Sequence, residues 1–525
     1  MTLSALPSRK APRRLSPALW LVLGLGGFHL VYAAFVGLAG DEAYYWQWAR
    51  HLDWGYYDHP PMVAWLIALG TQLAGHNEFG VRVVTVLLST AILWLVYCIS
   101  RDYSALAPSS GEPPAARAGL WAVAVLAAAP LFSLGGFLAT PDVPFVFFWT
   151  LAVACTLRVL HDRRLHRWLL LGLAFGLGMQ SKYPMVLLPL ALLIAFAATV
   201  RGRTLLRSPG PYLAASVALL VLIPHLFWLA RHDYAAVLFQ LGHGLGGAGG
   251  ATGKRLAGVA QFLAGQFGVL TPILFVLFLG ALAGGVAALF RRSDRAADSG
   301  KNSELALWIL VLPAALTLFL FLLASLFAKS QTNWPAAAYP TLAVLLGLQL
   351  ARWTQRAGIR RGTAYAAVGL AALVSAYAHL EVLYPLVPYT SSVFDKLQDK
   401  RGLAQWVEGL RMAAGVEGRQ AALLADNYRT ASLFAFYLPD RPPTDAPFES
   451  GSGSQYTLWR KADDAGAATA TAWYVTRFAN DPRVPQLFGD ARAAGVYVEQ
   501  RAGVPIGTMY AWYGHLRAAN EIGTR

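Results

Sequence analysis

Eleven apolar runs, each near the thickness of a bilayer's hydrocarbon, recur at about 17–38, 79–100, 117–136, 141–160, 168–181, 183–200, 210–230, 268–290, 305–327, 336–352 and 362–381. Roughly twenty apolar residues in a helix span about 30 Å of hydrocarbon, where every backbone polar group must be satisfied inside the segment. A chain with this pattern is expected to be a polytopic α-helical membrane protein with about 11 transmembrane helices. Its 525 residues are 56% hydrophobic and 14% charged, against roughly 25% charged in soluble domains, which excludes a single oversized soluble core.

The net charge of +15 is not gathered into a patch of the kind that grips nucleic acid. Basic residues instead recur in alternate short connectors: Lys10, Arg13 and Arg14; Arg101 and Arg117; Arg163, Arg164 and Arg167; Arg201, Arg203 and Arg207; Arg291, Arg292, Arg295 and Lys301; Arg352, Arg356, Arg360 and Arg361. The Lys/Arg bias that orients membrane proteins places these connectors in the cytoplasm. Cys98 and Cys155 lie inside apolar runs at a spacing that matches no metal or redox motif. The first run is too long for a signal-peptide core and lacks a small-x-small cleavage site, so it is expected to stay as a membrane helix.

The connectors between them face the other side and differ in chemistry. They are Gly40–Glu78, "LATPDVP" (138–144), "QSKYP" (180–184), a long stretch from "RHDY" (231–234) to about Phe267, and "AKSQTNWP" (328–335). An odd helix count puts the C-terminus on that same side. The expected division is a membrane unit over 1–381, with its first outward loop at 40–78, and an extracytoplasmic α/β domain over 382–525. Within the latter, "AALLADNYRTASLFAFYLPD" reads as strand then helix, and "ATAWYVTRF" and "AGVYVEQ" as further strands. The Gly-rich "GHGLGGAGGATGKR" (242–255) reads as a flexible loop; no strand precedes it and the ending of a phosphate-binding P-loop is absent.

The stretch "GDEAYYWQWARHLDWGYYDHPP" (40–61) packs four carboxylates, two histidines and seven aromatics behind the first helix. Carboxylates at a membrane edge are either solvated or used, and the aromatics alone would fit an interfacial belt. Pro60 and Pro61 break the chain after Asp58–His59, and Met62–Leu73 has the apolar content of a short interfacial helix. The expected result is an outward hairpin in which Asp41, Asp58 and His59 converge. Lys182, Arg231 and Lys329 stand at helix ends on the same side, where they either snorkel to headgroups or grip a lipid-linked phosphate. A carboxylate facing a phosphate clamp suits glycosyl transfer from a phosphate leaving group. One base and no enzyme nucleophile would invert the anomeric carbon.

In order and spacing, that first motif with "TPDVPFVFFW", "GLGMQSKYP", "AKSQTNWPAAAYP" and "DNYRTASLFAFYLP" resembles the bacterial membrane glycosyltransferases related to dolichyl-phosphate-mannose protein mannosyltransferases and to the lipid A aminoarabinose transferase. The resemblance implies a GT-C-type fold, a polyprenyl-phosphate sugar donor, and an active site on the periplasmic face of the inner membrane. Carried over by motif, Asp41 is implied as the catalytic base with Glu42 beside it. "DHPP" stands where the aminoarabinose transferases have "EKPP", so Asp58 matches their acidic residue and His59 their phosphate-facing lysine. Asp142 matches a second acidic loop and Lys182 a phosphate ligand. The donor-phosphate set is therefore His59, Lys182, Arg231 and Lys329, and the substrate-positioning set Asp58, Asp142, Tyr183 and Asn333.

No cofactor is required by this chemistry. A divalent metal stays open, with Asp58, His59, His232 and His243 as candidate ligands that lack a paired-histidine spacing. His225 and His379, inside apolar runs, read as hydrogen-bonded core residues. The partners are the lipid-linked donor, a glycolipid or protein acceptor, and membrane lipids, with no nucleic acid; nothing in the loops selects the sugar or the acceptor. A lipid-linked saccharide transporter or flippase is the alternative from another class, although transporters place ionisable groups at the midplane and show paired halves. An oligosaccharide polymerase or ligase would share the outward chemistry.

Overall fold

The computed structural model describes residues 16–107, 113–162, 164–245, 252–292, 300–328, 331–355, 357–387, 397–448, 453–463 and 471–517. Helices follow one another as α1 (Pro17–Phe35), α2 (Gly40–Arg50), α3 (Met62–Ala74), α4 (Glu78–Leu106), α5 (Ala115–Ala128), α6 (Pro130–Gly135), α7 (Asp142–His161), α8 (Leu165–Met179), α9 (Leu187–Ala198), α10 (Val200–Leu206), α11 (Gly210–Arg231), α12 (Ala235–Leu245), α13 (Thr252–Leu270), α14 (Pro272–Arg292), α15 (Gly300–Ala324), α16 (Tyr339–Trp353) and α17 (Ile359–Leu383).

Among the described residues, eight helices are long and apolar enough to cross a membrane, or nine if Tyr183–Ala198 and Val200–Leu206, bent by 115°, form one span. Every apolar run of the sequence has a helix under it. The remaining runs fall on shorter or broken pieces, and the breaks have causes. Pro130 opens α6 directly after α5, and Thr199 leaves the helical region so that its hydroxyl caps Gly202 N of α10 at 3.1 Å. Between the spans, Trp149, Phe145, Phe278 and Tyr339 fill a continuous apolar core.

The C-terminal unit carries α18 (Arg401–Ala413), α19 (Gly415–Gln420), β1 (Ala422–Ala425), α20 (Tyr428–Tyr437), β2 (Thr444–Asp445), α21 (Gln455–Asp463), β3 (Thr471–Thr476), α22 (Val484–Leu487), β4 (Arg492–Arg501) and β5 (Val504–His515). The strands form one mixed sheet in the order β2-β1-β3-β5-β4, parallel through the first three and antiparallel through the last three. The sequence anticipated β1, α20, β3 and β4.

The Gly-rich stretch differs from expectation. Its flanks are the helices α12 and α13, and only 246–251 lie outside the described residues. The outward connectors meet at one end of the bundle. Met62 N donates to Gln180 O at 3.0 Å, Ala139 N to Glu42, Gln240 Nε2 to Asp58 O, and Asn333 Nδ2 to Asp142. On that end the C-terminal unit shares one apolar core with the hairpin, in which Tyr44, Trp46, Trp48 and Tyr56 pack with Val407, Phe434 and Trp473.

Candidate active site

Asp41 and Glu42 stand side by side in the first turn of α2, and the fold gives them opposite surroundings. Successive helical residues point about 100° apart, so neighbours in sequence face different walls. Glu42 faces inward and is fully buried against Arg82 of α4. Its Oε1 accepts from Arg82 Nε at 2.7 Å and from Ala139 N at 2.9 Å. Its Oε2 accepts from Arg82 Nη2 at 2.5 Å and from Ala39 N at 3.0 Å, the last closing the N-terminal turn of α2. Arg82 spends its remaining donors on the carbonyls of Ala33, Val36 and Gly37, which terminate α1. Both oxygens of Glu42 are thus doubly occupied, which is the full acceptor capacity of a carboxylate. Glu42 is an anchor for the junction of α1, α2 and α4. The sequence placed Glu42 beside Asp41 in the catalytic set, and the structure finds it in this anchoring arrangement.

Asp41 faces outward and is partly exposed. Its Oδ1 accepts from Arg429 Nε at 2.7 Å and lies 3.4 Å from the Tyr428 hydroxyl, while Oδ2 makes no hydrogen bond among the described residues. Arg429 and Tyr428 open α20, in the "DNYRTASLFAFYLP" motif, so the C-terminal unit reaches into the site. Asn427 caps that helix, its Oδ1 accepting from Thr430 N at 3.0 Å. Sequence reasoning missed Arg429. The available signal was an arginine next to a cap residue inside a motif already singled out, without any indication of which carboxylate it meets.

Around Tyr45 the predicted acids come together. Burial pushes its hydroxyl pKa well above the ordinary value, and Asp41, Asp58, Tyr428 and Asp142 push it further in the same direction. Three carboxylates from two connectors therefore bear on one buried phenol. Asp142, at the start of α7, is held from two sides: Oδ1 accepts from Lys182 Nζ at 2.7 Å and Oδ2 from Asn333 Nδ2 at 2.8 Å. His59 lies with its ring centroid 6.3 Å from that of Tyr45, and Gln240 Nε2 is 3.3 Å from its Nδ1.

The hairpin is pinned from beneath by α11. Trp54 O can only accept, so His225 Nδ1 donates to it at 2.7 Å, which leaves Nε2 to accept from the Tyr183 hydroxyl at 3.1 Å. Trp228 Nε1 donates to Asp53 Oδ2 at 2.8 Å. His225 is buried and hydrogen-bonded, as expected of a core histidine, and the chain it holds is the loop that carries Asp58. Tyr183 is turned toward that fastening, its hydroxyl bonded to His225 and to neither Asp41 nor Asp142 among the described residues.

Arg231 takes one of the two arrangements expected of it. At the last turn of α11 its guanidinium lies 4.1 Å from the centroid of the exposed Phe227 ring and makes no ion pair among the described residues, which is the snorkelling arrangement. His232 Nδ1 is 2.9 Å from Trp228 O and its ring stacks on the Trp228 ring at 4.1 Å. Lys329 and the side chain of His243 lie outside the described residues. No group of three His, Cys, Asp or Glu able to hold a metal occurs among the described residues, which do not include the side chain of His243.

Fold and site together define a membrane-embedded protein of GT-C type, with a polar centre at one end of the helix bundle and a sheet-bearing unit over it. Residues 58–228 match the family model of dolichyl-phosphate-mannose-protein mannosyltransferases. A lipid A galacturonosyltransferase of Rhizobium johnstonii is 26% identical over 419 residues, 78% of this chain and 80% of the relative. An undecaprenyl phosphate-alpha-4-amino-4-deoxy-L-arabinose arabinosyl transferase of Pseudomonas aeruginosa is 27% identical, over 96% of this chain and 91% of the relative. Among solved structures, ArnT from Cupriavidus metallidurans bound to undecaprenyl phosphate has a TM-score of 0.62 at 15% identity, covering 97% of this chain and 99% of that one. The archaeal oligosaccharyltransferase AglB from Archaeoglobus fulgidus has a TM-score of 0.53 at 12% identity, covering 97% and 75%. The resemblance read from the motifs is borne out by these matches, and the solved structures show the shared fold.

Proposed function

We propose that the chain is an inverting glycosyltransferase that moves a sugar from a polyprenyl-phosphate donor to a glycolipid of the lipopolysaccharide type, or to a protein, at the periplasmic face of the inner membrane. The observation that carries the reading is the meeting of the outward connectors at one end of an apolar bundle, with Asp41 held by Arg429, Asp142 by Lys182 and Asn333, and His59 beside Tyr45. The names of the relatives, one a lipid A galacturonosyltransferase and the other an undecaprenyl phosphate-aminoarabinose transferase, support the same acceptor and donor classes. The membrane unit is assigned to 1–381 and the extracytoplasmic unit to 382–525.

In this reading Asp41 Oδ2 takes the proton of the acceptor hydroxyl as its oxygen attacks the anomeric carbon. The bond from that carbon to the phosphate oxygen breaks, and its electron pair leaves with the lipid phosphate. Attack opposite the leaving group inverts the centre. Lys182 is the cation on hand for the developing phosphate charge, with His59 as a further hydrogen-bonding group, and Asp142 with Asn333 holds Lys182 in place. Asp58 and Asn333 are positioned to orient the sugar.

Asp41→Asn keeps the shape and removes the base, so it is expected to lower transfer on the order of 10²–10⁴-fold while donor binding and thermal stability persist. The assay pairs a purified polyprenyl-phosphate monosaccharide with lipid A, followed by mass spectrometry. Wild-type transfer rates in the variant would remove Asp41 from the role, and envelope glycolipids and glycoproteins unchanged on deletion of the protein would remove the function.

A further inference from the structure

We propose that Arg429 positions the Asp41 carboxylate, so that the reaction centre is complete only when the C-terminal unit is docked. The inference rests on the reading of Asp41 as the base. Arg429 Nε donates to Asp41 Oδ1 at 2.7 Å, which orients the carboxylate with Oδ2 directed to no other group among the described residues. An aspartate turns about two side-chain bonds, and misplacement of a reacting group by about 1 Å costs up to about 10²-fold in rate. A single charge-assisted bond at Oδ1 removes that freedom without occupying the oxygen that takes the proton.

Arg429 is the one cation that forms an ion pair with Asp41 among the described residues. Arg82 is committed to Glu42 and to three carbonyls, and Lys182 to Asp142. Arg429 is itself fixed. Its guanidinium lies 4.7 Å from the Tyr428 ring centroid, and Gly40 approaches it so closely that an added Cβ would stand 2.7 Å from Arg429 Cβ. Burial alone would lower the pKa of Arg429, yet Asp41 and Tyr428 outweigh it and the group is held protonated.

Separate contacts dock the C-terminal unit on the membrane unit. Arg401 at the start of α18 pairs with Glu78 at the start of α4, and its Nε donates to Glu78 Oε1 at 3.0 Å. This pair supplies the control, because Arg401→Gln removes a polar contact at the same boundary while the shared apolar core keeps the unit docked and the Asp41–Arg429 pair is untouched.

The experiment compares Arg429→Gln, Arg429→Lys and Arg401→Gln in the full chain. Arg429→Gln is expected to lower kcat about 10–100-fold with donor KM within about twofold, Arg429→Lys to recover part of the loss, and Arg401→Gln to keep the wild-type kcat. A second readout needs no turnover: a water-soluble carbodiimide, followed by peptide mass spectrometry, should label Asp41 severalfold faster in Arg429→Gln than in wild type or Arg401→Gln. Wild-type kcat in Arg429→Gln, an equal loss in Arg401→Gln, or unchanged labelling of Asp41 each overturns the inference. A wild type that transfers no sugar while the labelling difference persists refutes the proposed function and leaves the Asp41–Arg429 pairing standing.

Discussion

Asp41 and Glu42 differ by one methylene and one helical step, and that step separates a solvent-facing carboxylate from one that is structural cement. Glu42 cannot give up its contacts cheaply, because its partner Arg82 is equally buried and would be left with an uncompensated charge. Breaking one side of a buried pair costs about 3–5 kcal/mol. Glu42→Ala is therefore expected to destabilise the protein by roughly that amount in thermal or denaturant unfolding, and to lose activity only in proportion to the unfolded fraction. A stable Glu42→Ala variant with lost turnover would restore Glu42 to the catalytic set. The sequence offers both acids as one motif, since nothing local tells which faces the arginine forty residues downstream. Burial of Glu42 is decided by Arg82, and exposure of Asp41 by Arg429, and neither partner lies within the motif.

At the scale of elements, the hairpin and α4 approach each other at glycines. A Cβ on Gly80 would stand 1.9 Å from Gly75 O, and one on Gly70 would stand 2.2 Å from Gly80 O. Both obstacles are backbone, so the α3–α4 turn itself has to move to admit a methyl group. Gly80→Ala is expected to cost about 1–3 kcal/mol, the usual scale of overpacking. Gly369→Ala in α17, where nothing lies within 4 Å, should cost nothing. Unfolding curves in one detergent compare the two, and equal stabilities would show that the crossing tolerates a shift.

The elements were also where the sequence was most legible. Hydrophobic length identified each of the eight full-length spans among the described residues but did not separate them from three runs that fall on shorter or broken helices; Pro60–Pro61 marked the break between α2 and α3, and alternation the strands β1, β3 and β4. The helices of the long fourth connector were not legible, because glycine dilutes the helical period there. The fastening of the hairpin by His225 and Trp228 was hidden for another reason. Inside an apolar run, a polar residue that satisfies a distant loop has the same sequence pattern as one that satisfies its own helix.

Over the whole molecule, the same apolar core that closes the hairpin also underlies the sheet. Tyr44, Trp46, Trp48 and Tyr56 from the hairpin are buried with Leu403, Val407, Leu433, Phe434 and Trp473 of the C-terminal unit. Polar contacts follow the same boundary: Gln455 N donates to the Tyr44 hydroxyl at 2.7 Å and Tyr57 N to Gln455 Oε1 at 2.8 Å. Glu381 of α17 and Arg501 of β4 form a further pair at 2.6 Å, both side chains buried. Cut from the membrane unit, the C-terminal unit loses the wall against which α18 and α20 pack, and it also strands Arg501 without its carboxylate. A large exposed apolar patch of that kind drives association instead of a stable monomer. Residues 397–525 expressed alone are therefore expected to self-associate and to bind a hydrophobic dye, with none of the cooperative unfolding of an independent domain. The measurement is dye fluorescence and sedimentation beside a denaturant titration. A monomeric fragment with a sharp two-state transition would show that the sheet folds without the hairpin, and the membrane unit would then be a docking partner and not a part of its core.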